Sequence, residues 1–282
     1  MVVDTRSSYR RKKLRFRSLT SCGGRRKRKK RDWEETKTVL REMLMKRRRF
    51  VDACTSSKLS EAELRRLFET GRNETCSIRY VERKHSKGIV VCLPGMGGGL
   101  SGPSGLFERI CKRRTSSTLI LNTGYNPEIA KQIALYAISW LKKKRKMKEN
   151  VVLVGYSMGV ATAAACVEMY PDLISGICCV SSQSAQTEGL TKIRQGGQVL
   201  LIHHTNDQIL PQKDTADLIF QMLIRMNVNV ELCIFGEKES RCGGGGGVHN
   251  NIGLECLRQH TLFDESDDVY KRVHMFLRTV LL

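Results

Sequence analysis

Val151-Val152-Leu153-Val154-Gly155-Tyr156-Ser157-Met158-Gly159-Val160-Ala161-Thr162-Ala163-Ala164-Ala165 is the stretch from which the rest of the chain can be read. Four β-compatible apolar residues lead into Gly-Tyr-Ser-Met-Gly, and small helix-compatible residues follow. A membrane span would need about 18 uninterrupted apolar residues. The run from Val151 to Val167 is broken by Gly155-Tyr156-Ser157 and reads instead as strand, tight turn and helix, the repeating unit of a parallel sheet.

The same alternation extends outward in both directions. Strands are predicted over Cys76 to Val81, Gly88 to Leu93, Thr118 to Asn122, Ile174 to Val180, Gln198 to His203 and Val228 to Ile234. Helices are predicted from about Pro103, after the Asn126-Pro127-Glu128 cap, over Thr215 to Met226 and from Asp267 to Leu282. The expected fold class is α/β, a mostly parallel sheet with helices on both faces. Upstream, Ser60-Glu61-Ala62-Glu63 is a capping box opening a helix with Leu64, Leu67 and Phe68 on one face and Gly71 as its stop. Residues 32–75 are read as a helical N-terminal extension, and residues 76–282 as the α/β domain.

Gly155-Tyr156-Ser157-Met158-Gly159 matches G-x-S-x-G in the strand-turn-helix setting that exposes a serine hydroxyl at a sheet edge. A hydroxyl is a poor nucleophile unless a base takes its proton and an acid orients that base. Asp207 lies just past a predicted strand, in Leu201-Ile202-His203-His204-Thr205-Asn206-Asp207, and is the candidate acid. The other site for an acid, after the strand ending near Val180, reads Ser181-Ser182-Gln183-Ser184 and has no carboxylate. His249, in the loop after the last strand, is the candidate base; His203 and His204 are expected to be packed, and His85, His260 and His274 to be solvated or on helix surfaces. Asp214 and Asp217 read as acids of a helix start. The backbone N–H groups of Met158 and of Met96, in Leu93-Pro94-Gly95-Met96-Gly97-Gly98, are the candidate donors to an oxyanion.

Together these residues resemble the α/β-hydrolase superfamily over about residues 76–282, and within it the small dienelactone-hydrolase-like and esterase-like members. The resemblance implies the α/β-hydrolase fold, with Ser157 as nucleophile, Asp207 as acid, His249 as base, and Met96 with Met158 at the oxyanion hole. It departs at Pro94-Gly95, where many members have His-Gly, at His204, where a glycine is common, and at Ser157, since dienelactone hydrolases proper use cysteine. Only about fifteen residues separate the strands ending near Ser182 and starting near Gln198, so no large lid is expected. The implied reaction is hydrolysis of a carboxylic ester or thioester on a small-molecule or acyl substrate. Peptidase or amidase chemistry by the same triad, and a non-catalytic scaffold of this fold, are the alternatives.

No cofactor or metal is expected: the eleven cysteines include no CxxC pair, and Cys178-Cys179 would point to opposite faces of a strand. Their odd number and apolar settings suit reduced thiols in an intracellular compartment. The net charge of +21 is concentrated at the start: residues 1–49 hold 20 basic and five acidic side chains, a local +15. Residues 1–31 lack an apolar signal core and read as a disordered basic tail. Such a tail suits a nuclear-type cluster, an anionic membrane or an organelle import signal; with no aromatic platform beside the charge, no dedicated nucleic-acid site is expected. Deletion of residues 1–31 is expected to leave turnover of a soluble ester unchanged and to weaken binding to anionic liposomes, an effect that fades as salt rises. Loss of folding on deletion would place the tail inside the domain.

Overall fold

The computed structural model describes residues 58–73, 75–96, 98–145, 150–236 and 252–281. The basic tail, the helical expectation over residues 32–49, the glycine tract 243–247 and His249 lie outside the described residues.

Among the described residues seven strands form one sheet: β1 (Ser77–Val81), β2 (Gly88–Leu93), β3 (Ser117–Asn122), β4 (Asn150–Tyr156), β5 (Ile174–Val180), β6 (Gln198–His204) and β7 (Asn229–Phe235). Their order across the sheet is β1-β3-β2-β4-β5-β6-β7. Among these described strands only β1 runs antiparallel, paired to β3 at one edge. The chain crosses from β2 to β3 on one side and returns to β4 on the other, so the direction in which strands are added reverses between β2 and β4, which run parallel. Above such a reversal the loops at the carboxyl ends diverge and leave a crevice.

The strand period of two divides the apolar residues into two cores. Val91, Leu93, Leu153, Cys179 and Leu201 face one side, beneath α1 (Glu61–Thr70), α3 (Pro127–Arg145), α4 (Gly159–Met169) and α5 (Ala216–Arg225). Val90, Cys92, Val154, Cys178 and Ile202 face the other, beneath α2 (Leu106–Cys111) and α7 (Ser266–Leu281). The adjacent Cys178 and Cys179 thus point into opposite cores. All eight described cysteines are free thiols. Helix α6 (Ile252–His260) follows β7 and lies between β7 and α7 in sequence.

Helix α1 forms as its capping box predicts: the Ser60 hydroxyl accepts from the Glu63 N–H at 3.3 Å, and the Glu63 carboxylate accepts from the Ser60 N–H at 2.7 Å. It ends on Gly71 at φ 76°. Its buried residues Leu64 and Leu67 join the same core as Ile133, Ala137 and Leu141 of α3, and Phe68 packs against Tyr136 and Trp140. Apolar packing therefore carries the α/β core upstream past residue 76 to include α1. Between β5 and β6 the chain makes a single short 3-10 turn, Glu188–Lys192, and no helical lid stands there.

Leu67→Ala is expected to destabilise the protein by about 2–5 kcal/mol, as for other fully buried leucines. Ser60→Ala, which removes only the cap, should cost about 1 kcal/mol. Urea unfolding of the full chain measures both, and a negligible effect of Leu67→Ala would detach α1 from the core.

Candidate active site

The turn after β4 is built by close backbone approach. Ser157 has φ 52°, a left-handed conformation that is unusual outside glycine, and its N–H donates to the Val180 carbonyl at 2.9 Å. A β-carbon on Gly155 would fall 2.8 Å from the Gly159 oxygen, and one on Gly159 only 2.1 Å from the Leu93 oxygen. Both glycines of the pentapeptide are therefore demanded by space. Gly95, past the end of β2, lies equally close: a β-carbon there would sit 3.0 Å from the Ser157 β-carbon. Helix α4 starts directly behind Ser157 with no side chain capping it, so its first N–H groups and positive end face the serine.

Asp207 stands three residues past β6 and is 3% exposed. One carboxylate oxygen accepts from the N–H groups of Ile209 and Leu210, at 2.9 and 3.0 Å. The other lies 2.8 Å from Nδ1 of His260, whose Nε2 lies 3.2 Å from the Ser157 hydroxyl. Burial alone pushes the Asp207 carboxyl up. Hydrogen bonds from His260 and the Leu210 N–H outweigh it and hold the group below its usual range. An ionised carboxylate only accepts, so His260 carries its proton on Nδ1, and Nε2 is left to accept from Ser157.

The histidine in this position corrects the sequence reading. His249 lies outside the described residues, and His260, expected to be solvated, is 5% exposed at the last position of α6. Its ring packs against Tyr156, with centroids 5.3 Å apart. The signal missed was α6 itself: Ile252, Cys256 and Leu257 are apolar at helical spacing, and Arg258 and His260 supply the basic last turn of a helix end. His203 is packed as expected. It is fully buried, its Nε2–H donates to the Leu210 carbonyl at 2.7 Å, its Nε2 is 3.7 Å from Asp207, and burial holds its pKa down, leaving it neutral. His204 accepts from the Asn206 N–H at 3.0 Å. His85 is exposed.

Met158 is buried at the start of α4, and Met96 occupies the turn after β2, one residue beyond Gly95. The structure thus brings Ser157, Asp207 and His260 into one hydrogen-bonded line, with the Met96 and Met158 segments adjoining the serine. Burial pushes the thiols of Cys178 and Cys179 well up and that of Cys166 up to about 12, so these three stay protonated. Beside Met158 a groove of about 450 Å³ opens between α3, α4 and the segment joining β5 to β6; Glu128, Lys131, Thr162, Gln183 and Gln186 line it.

No sequence-family model and no curated protein sequence matches the chain. Solved structures do. A carboxyl esterase from Bacillus coagulans superposes with a TM-score of 0.55 at 8% identity, covering 73% of this chain and 94% of that one. Dienelactone hydrolase from Anabaena variabilis gives 0.54 at 13% identity, covering 73% and 93%. A protein of Agrobacterium tumefaciens described as an α/β hydrolase gives 0.53 at 14% identity, covering 72% and 90%. At these identities the likeness is one of architecture, and it agrees with the strand order and the placement of the serine turn: the chain has the α/β-hydrolase fold.

Proposed function

We propose that this protein is a serine hydrolase that cleaves a carboxylic ester or thioester through an acyl-enzyme on Ser157. The observation that carries the reading is the line Ser157 Oγ, His260, Asp207, joined at 3.2 and 2.8 Å and presented on a left-handed turn. The Ser157 oxygen attacks the substrate carbonyl while His260 Nε2 takes its proton. Asp207 holds the imidazolium that results. Oxygen charge in the tetrahedral intermediate is met by the backbone N–H of Met158, at the positive end of α4, and by that of Met96. His260 then returns the proton to the leaving alcohol or thiol as the acyl-serine forms, and water attacking by the same base releases the acid.

A non-catalytic scaffold has no need for a buried histidine held between a depressed carboxylate and a strained serine. Perturbed groups meeting at a crevice are the mark of chemistry. The polar lining of the groove beside Met158 suits short or polar substituents, since a long alkyl chain would strip water from Glu128, Lys131 and two glutamines without replacing their hydrogen bonds. We further propose that the basic tail of residues 1–31 directs the protein to an anionic membrane or an import machinery.

Ser157→Ala and His260→Ala are each expected to lower kcat by roughly 10⁵- to 10⁶-fold, as when members of other triads are removed singly. Asp207→Asn should cost roughly 10³- to 10⁴-fold with little change in KM. His249→Ala should turn over ester like the wild type, and covalent labelling by a fluorophosphonate should require Ser157. Full activity in His260→Ala, with loss in His249→Ala, would return the base to the glycine-rich segment. Acetyl and butyryl esters should be better substrates than decanoyl esters, and the opposite order would refute the reading of the groove.

Stability carries a second signature. Because the folded-state pKa of Asp207 is depressed, its contribution is complete above the ordinary carboxylate pKa of about 3.9 and disappears as pH falls through the lower folded value. The difference in urea midpoint between wild type and Asp207→Asn is therefore expected to be flat from about pH 5 upward and to close below about pH 4. A gap that widens on acidification would contradict the assignment.

A further inference from the structure

Helix α6 must satisfy the carbonyls that its last turn leaves without intrahelical donors. Three are met by the chain itself: the Thr261 N–H donates to Leu257 O at 2.9 Å, the Leu262 N–H to Gln259 O at 3.1 Å, and the Phe263 N–H to Arg258 O at 3.0 Å, with Leu262 at φ 51°. This is a Schellman ending built on a buried leucine in place of the usual glycine. The carbonyls of His260 and Thr261 remain. Each accepts from a serine far away in sequence: Ser181 Oγ donates to His260 O at 2.7 Å, and Ser104 Oγ donates to Thr261 O at 2.9 Å. Ser181 is fully buried at the carboxyl end of β5, where its N–H is tied to Ile202 O at 2.8 Å. Both serines are left-handed, at φ 45° and 47°.

We propose that Ser181 and Ser104 are positioning residues that hold the base His260 in reach of Ser157 and Asp207 by gripping the two carbonyls its helix end leaves open. The proposal rests on the reading of His260 as base. Asp207 grips only the ring. A ring on a rotatable side chain is placed to a fraction of an ångström only if its main chain is placed too, and here the main-chain anchor is a hydroxyl mounted on β5, the strand that pairs with both β4 and β6. Ser157 follows β4 and Asp207 follows β6, so the base is referred to the same sheet edge as both its partners. The alternative acid site after β5 has no carboxylate because here that position serves the backbone of the base instead of its ring.

The test is a substitution series in the full chain, read by steady-state kinetics and by titration of active sites with a fluorophosphonate. Ser181→Gly and Ser181→Ala are both expected to lower kcat per titrated site by roughly 10- to 100-fold, as a displacement of about 1 Å in a catalytic group does, with KM changed little. Ser181→Cys, which keeps the size but donates weakly, should fall between these variants and the wild type. Ser104→Gly, one residue further from the ring, should lower kcat less. Gly and Ala separate the hydroxyl from the strain: glycine relaxes φ 45° and alanine does not, so a Gly variant with normal kcat beside a slow Ala variant would overturn the proposal. So would wild-type kcat per titrated site in both, or a loss of rate matched by an equal loss of titratable sites, which marks a purely structural role. His260→Ala, run in parallel, separates the two readings: if it retains turnover the assignment of the base has failed, whereas if it is inactive and the Ser181 variants are normal only the grip has failed.

Discussion

Gly159 lies so near the end of β2 that its backbone all but touches the Leu93 carbonyl, and this contact governs the geometry above the sheet. It brings the uncapped start of α4 against the strand that neighbours β4. The chain leaving β4 then has only Ser157 and Met158 in which to turn, and Ser157 takes up the left-handed conformation that results. The loop after β2 is brought against the serine by the same approach, as Gly95 shows. Strand order does the rest: β2 and β4 flank the reversal, so the crevice opens where the helix end and the serine already stand.

This part of the molecule was legible in the sequence because it is local. The two glycines, the apolar strand before them and the small residues after them lie within fifteen consecutive positions, and each reports a steric demand of its immediate neighbours. Asp207 was legible for a similar reason, standing just past a strand whose alternation is plain. The histidine was not. His260 meets partners 103 and 53 residues away, and nothing adjacent to it in sequence announces them. Attention falls instead on His249 beside the glycines, where a loop histidine is expected, while the apolar residues of α6 are too few to single out the helix that carries His260. Ser181 shows the same limit from the other side. Its lack of a carboxylate is visible in sequence; its donation to His260 across 79 residues is not.

The electrostatics depend on how completely Asp207 is surrounded. A buried carboxylate without donors would protonate and could not compensate an imidazolium. Three donors reach it: the N–H groups of Ile209 and Leu210, and Nδ1–H of His260. His203 supports this without competing. Its Nε2–H is spent on the Leu210 carbonyl, which steadies the residue whose own N–H meets the carboxylate, and burial keeps it neutral. Two histidines therefore border one acid with different duties, divided by which proton each has free to give.

Backbone strain gathers around this site. Among the described residues, six other than glycine adopt positive φ: Ser104, Ser157, Ser181, Gln186, Asn227 and Leu262. Asn227 is accounted for by the end of α5, where the Asn227 and Val228 N–H groups close onto Ile224 and Leu223. Four of the other five belong to the network around Ser157, His260 and Asp207. Ser157 bears the hydroxyl that meets His260, Ser104 and Ser181 grip the carbonyls at the end of α6, and Leu262 closes that helix; Gln186 lines the groove beside Met158. Each such residue costs on the order of 1–3 kcal/mol and persists only where its surroundings over-determine it. The surroundings here are two apolar cores packed on both faces of the sheet, which fix the ends of β2, β4, β5 and β6 before any loop is placed. With the strand ends held, the short links between them are left to meet geometric demands that a free chain would relax, and a hydroxyl, an imidazole and a carboxylate are held in line by segments that each hydrogen-bond to a strand end, at Val180, Ser181 and His204.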